Sequence, residues 1–159
     1  DRFSVDHDAF DMLVKNSYGH PYMMQLLGYH LVEYAGSFDP IRTVETADVE
    51  AILPVAFSAY ERRSLRPLVE AMPLAERSYA RAAAQVADDG GLSETGDIVR
   101  LLGKTHQQVA PARKALIDQG IIVAEGRGRV RFCIPRLRAY LVREPSGSPA
   151  TRYLDEWGI

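Results

Sequence analysis

Side chains that can donate hydrogen bonds to nucleic acid are concentrated between residues 104 and 114. The first part of this segment carries ammonium, hydroxyl, imidazole and amide groups, which suit phosphate oxygens and the base edges of a DNA major groove. Two basic residues follow, at positions able to reach backbone phosphates. We predict contacts to double-stranded DNA through Lys104, Thr105, His106, Gln107, Gln108, Arg113 and Lys114.

A second basic cluster lies on a predicted β-hairpin around the sequence Gly126-Arg127-Gly128. The two glycines permit the positive φ angles that a tight turn needs. Because side chains alternate along a strand, Arg129 and Arg131 are expected on one face, opposite Val130. An arginine at the tip of such a hairpin can enter a minor groove or hold a phosphate. We therefore add Arg127, Arg129 and Arg131 to the predicted DNA-binding residues.

The charge of the chain is unevenly distributed, although the formal net charge is only −2. Residues 1–72 carry six Lys or Arg and eleven Asp or Glu, whereas residues 104–143 carry nine and two. Clustered basic residues are typical of a phosphate-binding surface. The alternative is a solvated basic face that docks on an acidic protein surface, such as that of residues 1–72.

Residues that could support catalysis or metal binding are scattered. The four histidines, which show no metal-ligand spacing, are His7, His20, His30 and His106. Cys133 has no obvious His partner, and we predict that it is a packed, unreactive side chain. The sequence has neither a phosphate-loop motif nor a nucleophile elbow. We predict that this chain alone has no catalytic residues and no metal ligands, and is not an enzyme.

Three helices followed by the hairpin are predicted to position the basic residues, between Leu74 and Pro135. Apolar residues recur at helical spacing in three segments, and Gly103 and Gly120 are expected to end the second and third helices. This order is typical of a winged helix-turn-helix, in which the third helix and the hairpin, or wing, face the partner. The residues predicted to face inward are Leu74, Tyr79, Ala82, Ala83, Val86, Ile98, Leu101, Leu102, Val109, Ala112, Leu116, Ile117, Ile122, Ala124, Val130 and Phe132.

The start of the third helix has two possible positions. Thr105 and Gln108 have the spacing of a capping box, which would begin the helix at Thr105. Pro111 would then lie inside the helix and remove one hydrogen bond. In the alternative, an extended turn precedes a helix that begins near Val109, with Pro111 in its first turn. We favour this later start.

Residues 1–72 are predicted to form a small helical bundle. Two amphipathic helices, the second beginning at Pro21, are followed by a third helix that Thr46 caps. Pro67 is expected to kink or break that third helix. The predicted apolar face of the first helix comprises Ala9, Phe10, Leu13 and Val14.

We therefore predict a mainly α chain with a small β wing. A helical subdomain spans residues 1–72, a winged helix-turn-helix domain spans 73–143, and a flexible tail with linker composition spans 144–159. No apolar run is long enough to cross a membrane, and a basic-then-apolar signal region is missing. Because a single cysteine suits a reducing compartment, we expect a cytoplasmic chain with no membrane partner.

The segment Gly19-His20-Pro21 resembles the Gly-x-Pro motif of AAA-type and STAND-like ATPases, where it opens a helix of the lid subdomain. Residues 102–135 resemble the C-terminal winged helix of ATPases related to origin-recognition ATPases. The matching segments are Leu102-Gly103-Lys104, residues 113–120 and residues 128–135.

These resemblances imply that the chain is the C-terminal portion of a larger ATPase, with a lid-like subdomain in residues 1–72. They also imply that Gly19 and Pro21 contact the nucleotide, and that a core domain missing from this chain binds ATP or ADP with Mg. In one hypothesis, the winged helix binds double-stranded DNA. In the alternative, it is a protein-interaction or autoregulatory module of the ATPase that does not bind DNA.

Overall fold

The computed structural model describes residues 4–36 and 43–143. The chain divides into two compact units, Asp1–Ala71 and Met72–Ile159. The boundary predicted after Met72 differs from this division by one residue. The described part is mainly helical with small sheets, as predicted. The tail predicted for residues 144–159 lies outside the described residues.

The first unit contains helices and one short pair of parallel strands. β1 (Ser4–Val5) pairs with β2 (Thr43–Val44). The helices are α1 (His7–Ser17), α2 (Pro21–Ala35), α3 (Thr46–Tyr60) and α4 (Arg66–Ala71). The largest fully buried side chains of this unit are Met23, Leu27, Ile52, Tyr60 and Leu65.

Only a narrow stripe of α1 is buried, formed by Ala9, Leu13 and Ser17. These residues are four positions apart, which places them on one helix face. The predicted apolar face is too wide, because Phe10 and Val14 are each rotated by about 100° from this stripe. Their exposed fractions are 54% and 44%.

Local sequence determines where α2 and α3 begin. Pro21 is the first residue of α2, as predicted, where an N–H group would have no helical acceptor. The prediction that Thr46 caps α3 is wrong, because Glu45 is the capping residue and Thr46 is the first residue of the helix. The buried Asp48 carboxylate accepts a hydrogen bond from the Glu45 N–H at 2.9 Å, which holds this helix end.

A π-helical turn, Glu61–Leu65, joins α3 to α4 without a break. Pro67 has no N–H to donate to the carbonyl of Arg63, its partner in a regular α-helix. The wider turn lies directly before this proline, and both Leu65 and Val69 remain buried. The kink or break expected at Pro67 is therefore a change of helix type, without loss of the helix.

The second unit combines helices with a three-stranded antiparallel sheet in the strand order β3-β5-β4. Its elements are α5 (Leu74–Val86), β3 (Leu92–Glu94), α6 (Thr95–Leu102), α7 (His106–Asp118), β4 (Ile122–Ala124), β5 (Arg129–Phe132) and α8 (Leu137–Arg143). Sequence periodicity does not predict β3 or α8, because each is too short to repeat a pattern. None of the described helices combines the length and the apolar content that a membrane span requires.

α5 lies at the centre of the second unit, in contact with α6, α7 and α8. Its buried face consists of one tyrosine and several alanines, and these small side chains allow the neighbouring helices to approach closely. The buried residues of α5 are Tyr79, Ala80, Ala82, Ala83 and Ala84. The other largest fully buried side chains of this unit are Ile98, Leu116, Ile121, Ile122, Leu137 and Leu141.

In the second unit, four residues predicted to be buried are exposed. Leu74, the first residue of α5, is 78% exposed, and Leu101 in α6 is 51% exposed while Val99 is buried instead. Ala124 at the end of β4 and Cys133 just after β5 are also exposed. Each of these residues lies at or near the end of its element, where helical or strand spacing no longer determines which side faces the core. Four more predicted core residues are only half-buried, namely Val86, Leu102, Ile117 and Phe132.

Candidate nucleic-acid interface

A capping box holds the N-terminus of α7. The Thr105 hydroxyl accepts a hydrogen bond from the Gln108 N–H at 3.3 Å, and the Gln108 side-chain oxygen accepts one from the Thr105 N–H at 2.9 Å. α7 therefore begins at His106, and the later start favoured near Val109 is wrong. Pro111 lies inside the helix and removes one hydrogen bond, which the two capping bonds offset.

The capping box divides the predicted DNA-binding residues of this segment into two groups. The Thr105 hydroxyl and the Gln108 side-chain oxygen bind backbone N–H groups, so they stabilise the helix end. Lys104, His106 and Gln107 surround this end with exposed side chains. These three side chains are therefore exposed at the start of α7 and take no part in the capping box.

The two basic residues further along α7 lie in different environments. Lys114 is exposed and forms an ion pair with Asp118, one turn later, at 2.5 Å. An exposed pair at this spacing contributes only about 0.3–0.5 kcal/mol, so a phosphate can compete with Asp118. Arg113 is half-buried, on the α7 face that also carries His106 and Val109.

The turn between β4 and β5 presents one exposed arginine. Gly126 and Gly128 have φ angles of 69° and 76°, which confirms the predicted use of positive φ. Arg127 lies between them and is exposed. The turn therefore holds the Arg127 side chain at the tip of the hairpin.

Two further arginines lie on the exposed face of β5. Arg129 and Arg131 flank the buried Val130, as the alternation predicts. Arg131 forms an ion pair with Glu125 at 3.4 Å. Among the described residues, no carboxylate lies within ion-pair distance of Arg129. Arg129 is therefore more available to a partner than Arg131.

A cleft lies between α7 and the hairpin turn. The Thr95 N–H donates a hydrogen bond of 2.7 Å to the Gly128 carbonyl, which joins the turn to the start of α6. The cleft has a volume of about 350 Å³. Its lining includes Glu94, Thr95, Gly96, His106, Arg113 and Gly128. The start of α6, one face of α7 and the hairpin turn therefore converge on one open space.

Polar groups are buried around this cleft. Tyr79 is fully buried, and Thr95 is only 7% exposed. Burial raises the pKa of the Tyr79 hydroxyl, and the nearby Thr95 and Arg113 side chains partly oppose this increase. The Thr95 and Arg113 side chains lie near the Tyr79 hydroxyl, so these three polar groups form one cluster beside the cleft.

Sequence reasoning predicts Arg113 as a site residue but misses Glu94, Thr95 and Tyr79. Tyr79 fits the buried face of its helix, so its sequence position indicates only a core residue. Glu94 and Thr95 precede the apolar residues of a short helix, and this position identifies a helix start without indicating a cleft. Glu94 and Thr95 line the cleft only because the hairpin turn at Gly128, which is distant in the sequence, folds against them.

The two residues predicted to contact a nucleotide lie in the first unit, between α1 and α2. Gly19 has a φ of 68° in the turn, and Pro21 begins α2. No atom outside the turn lies within 4 Å of the place that a Gly19 Cβ would occupy. The His20 ring packs edge-on against Tyr60, with ring centroids 5.8 Å apart. The described residues include no cluster of three or more His, Cys, Asp or Glu side chains suited to a metal ion.

Comparison with protein families gives a match to part of the chain. The model of a family described as a domain of unknown function (DUF8462) matches residues 63–141, just under half of the chain. The matched segment extends from the π-helical turn into α8 and includes the cleft, α7 and the hairpin. No significant match was found among curated proteins or among solved structures.

Proposed function

We propose that the second unit is a winged helix-turn-helix that binds double-stranded DNA, with α7 in the major groove and the β4–β5 hairpin as the wing. The observation that carries this proposal is the cleft, which places the first turn of α7 beside the arginine-bearing hairpin turn. A duplex backbone can follow such a cleft while the helix and the hairpin contact the adjoining grooves.

The order of elements supports this proposal. α6 ends at Gly103, whose φ of 62° closes the helix, and the turn continues through Lys104 and Thr105 to α7. A short turn containing glycine is typical of a helix-turn-helix. Because the N-terminal residues of the second helix of this motif contact base edges, we assign base contacts to His106 and Gln107.

The exposed charges favour a polyanionic partner. Lys104, Arg127 and Arg129 are exposed, with no carboxylate at ion-pair distance in the described part of the chain. Lys114 and Arg131 are paired only with partly exposed carboxylates, which a phosphate can replace at small cost. We assign these five residues to phosphate contacts, which dominate DNA affinity and make it depend on salt.

We expect duplex binding to weaken steeply between about 50 and 200 mM salt, because each neutralised phosphate releases counterions. The double variant Arg127→Ala/Arg129→Ala should weaken all duplexes about equally and reduce the salt slope by about two. Gln107→Ala should instead change the preference among duplex sequences. Fluorescence anisotropy with labelled duplexes of several sequences measures all three effects.

The matched control is Arg62→Ala/Arg63→Ala, which removes two exposed charges from the first unit. This control should leave duplex affinity unchanged. Equal losses in the two double variants would show an effect of net charge alone. Intact affinity in Arg127→Ala/Arg129→Ala would contradict the role of the hairpin as a wing.

A second candidate function is a protein-interaction or autoregulatory module. Exposed apolar side chains of the second unit favour this function, because contact with a duplex does not explain them. Leu74, Leu101 and Val123 have exposed fractions of 78%, 51% and 43%. If the chain binds no duplex at the lowest salt, this module becomes the better assignment, and its partner surface would be acidic and partly apolar.

We also propose, from the resemblance of Gly19-His20-Pro21 to the Gly-x-Pro motif, that the first unit is the lid of a larger ATPase. The open turn at Gly19 and the helix start at Pro21 support this role. In such a protein, both residues would contact a nucleotide that a separate core domain holds together with Mg. The nucleotide state of that core would then influence DNA binding by the second unit.

A further inference from the structure

The face of α7 opposite its buried stripe combines one amide with small apolar side chains. Val109, Ala112 and Leu116 form the buried stripe. On the other side, exposed residues follow one another at intervals of three and four positions, which places them on one helix face. These residues are Gln107, Ala110, Pro111 and Lys114. The exposed face is therefore polar at its two ends and apolar between them.

Gln107 supplies the carboxamide of this face. The capping box uses the side chains of Thr105 and Gln108, so the Gln107 side chain is not needed to hold the helix end. A carboxamide presents a donor and an acceptor side by side. In the major groove this pair matches the N7 acceptor and the N6 donor of adenine, whereas guanine presents two acceptors and suits arginine or lysine. Gln107 therefore favours adenine over guanine.

Ala110 and Pro111 form an exposed apolar pair about one helical turn after Gln107. Pro111 removes one hydrogen bond from α7, and because it is exposed, burial in the core does not repay that cost. In a major groove, the apolar group that such a pair can cover is the C5-methyl group of thymine. Side chains three or four positions apart are separated by about 5–6 Å and stacked bases by about 3.4 Å. The thymine would therefore lie one or two base pairs from the adenine.

The other polar side chains near this face contribute less to the choice of base. His106 lines the cleft, and a ring N–H suits the N7 acceptor that adenine and guanine share. A lysine can contact guanine, but the ion pair with Asp118 holds the Lys114 ammonium group toward the end of α7. The choice of base therefore depends mainly on Gln107 and the apolar pair.

We propose that α7 selects A·T base pairs, with Gln107 bound to an adenine and the apolar pair covering the methyl group of a thymine one or two base pairs away. This inference rests on the proposed DNA function and adds to it the class of base pair that the helix recognises. Duplexes without such a site are bound only through phosphate contacts, which all sequences share.

The test is the selection of duplexes that bind the full chain from a pool with a randomised centre. The selected duplexes should share an adenine with a thymine one or two base pairs away. Gln107→Arg should change this adenine to guanine, because a guanidinium matches the two acceptors of guanine. Gln85→Arg adds the same charge at an exposed position on α5 of the same unit. It is the matched control and should still select adenine.

Modified bases in a selected duplex test the two contacts separately, with fluorescence anisotropy as the measurement. 7-Deazaadenine pairs with thymine but lacks the N7 acceptor. It should weaken binding about tenfold, and Gln107→Ala should abolish this difference. Uracil lacks only the methyl group of thymine and should weaken binding about threefold. This second difference should shrink in Pro111→Ser, which removes the proline ring from the exposed face.

The outcomes separate this inference from the proposed DNA function. Selection of a G·C site, selection without any base preference, or selection of the same A·T site by Gln107→Arg would refute base recognition by α7 and leave DNA binding intact. An A·T site that tolerates both modified bases would show that the chain recognises DNA shape, and would also refute the inference. If no duplex binds at the lowest salt, the DNA function and the A·T preference are both wrong.

Discussion

At the scale of single residues, Arg113 shows how packing changes the role of a basic side chain. Its place in the sequence predicts an exposed contact to a DNA phosphate. In the structure it is half-buried beside the cleft, close enough to Tyr79 to oppose the increase in the pKa of that hydroxyl. A guanidinium held in this way is preorganised for one acceptor position, whereas an exposed arginine samples many.

The capping box at α7 gives a prediction about stability at the residue scale. Thr105→Ala should lower the free energy of unfolding by about 1 kcal/mol, because the Gln108 N–H loses its acceptor. Urea denaturation measures this loss. Gln107→Ala, an exposed change two residues later, should stay within about 0.5 kcal/mol of the unmodified chain. A similar loss in both variants would contradict the stabilising role of the cap.

At the scale of elements, α5 and α7 organise the second unit in different ways. α5 contacts three other helices through a buried face rich in alanine. α7 buries only Val109, Ala112 and Leu116, and its remaining faces are at least partly exposed. A helix that buries a single stripe keeps its other faces available, which is what the proposed recognition helix requires.

The packing of these helices gives a second prediction about stability. Leu116→Ala should lower the free energy of unfolding by about 2–5 kcal/mol, because Leu116 is fully buried and its loss leaves a cavity. Leu101→Ala in α6 should cost well under half as much, because that side chain is 51% exposed. Urea or thermal denaturation compares the two variants. Equal losses of stability in the two variants would contradict this prediction and would show that Leu101 contributes more to packing than its exposed fraction indicates.

At the scale of the whole chain, charge differs strongly between segments. Residues 1–72 are acidic, and residues 104–143 are basic. The acidic balance of the first segment makes it an unfavourable partner for a polyanion. We therefore place the proposed DNA contacts in the second unit.

The ATPase proposal gives a prediction for the whole chain. Isothermal titration calorimetry should show no micromolar binding of ATP with Mg, because the sequence has no phosphate-loop motif and the lid would contribute only Gly19 and Pro21. Duplex DNA added to the same preparation provides a positive control for the second unit. Micromolar ATP binding would contradict the placement of the nucleotide-holding core outside this chain.

The sequence by itself determined the features that depend on neighbouring residues. Helical spacing predicted most of the helices, and the position of Pro21 predicted the start of α2. The two turn glycines predicted the hairpin, and strand alternation predicted that Arg129 and Arg131 share an exposed face. The sequence also contained the capping-box pattern of Thr105 and Gln108, although the presence of Pro111 favoured the wrong start. Caps, turns and periodicity act within about one helical turn, so local patterns encode them.

The tertiary structure decided which distant residues meet. Pairing of β3 with β5 places Glu94 opposite Arg129, and the hydrogen bond between Thr95 and Gly128 brings the hairpin turn to the start of α6. These contacts, together with α7, form the cleft and bury Thr95 near the Tyr79 hydroxyl. No local pattern predicts such contacts, because they depend on how several elements pack around α5. The basic residues are therefore evident in the sequence, whereas the cleft between α6, α7 and the hairpin turn exists only in the folded second unit.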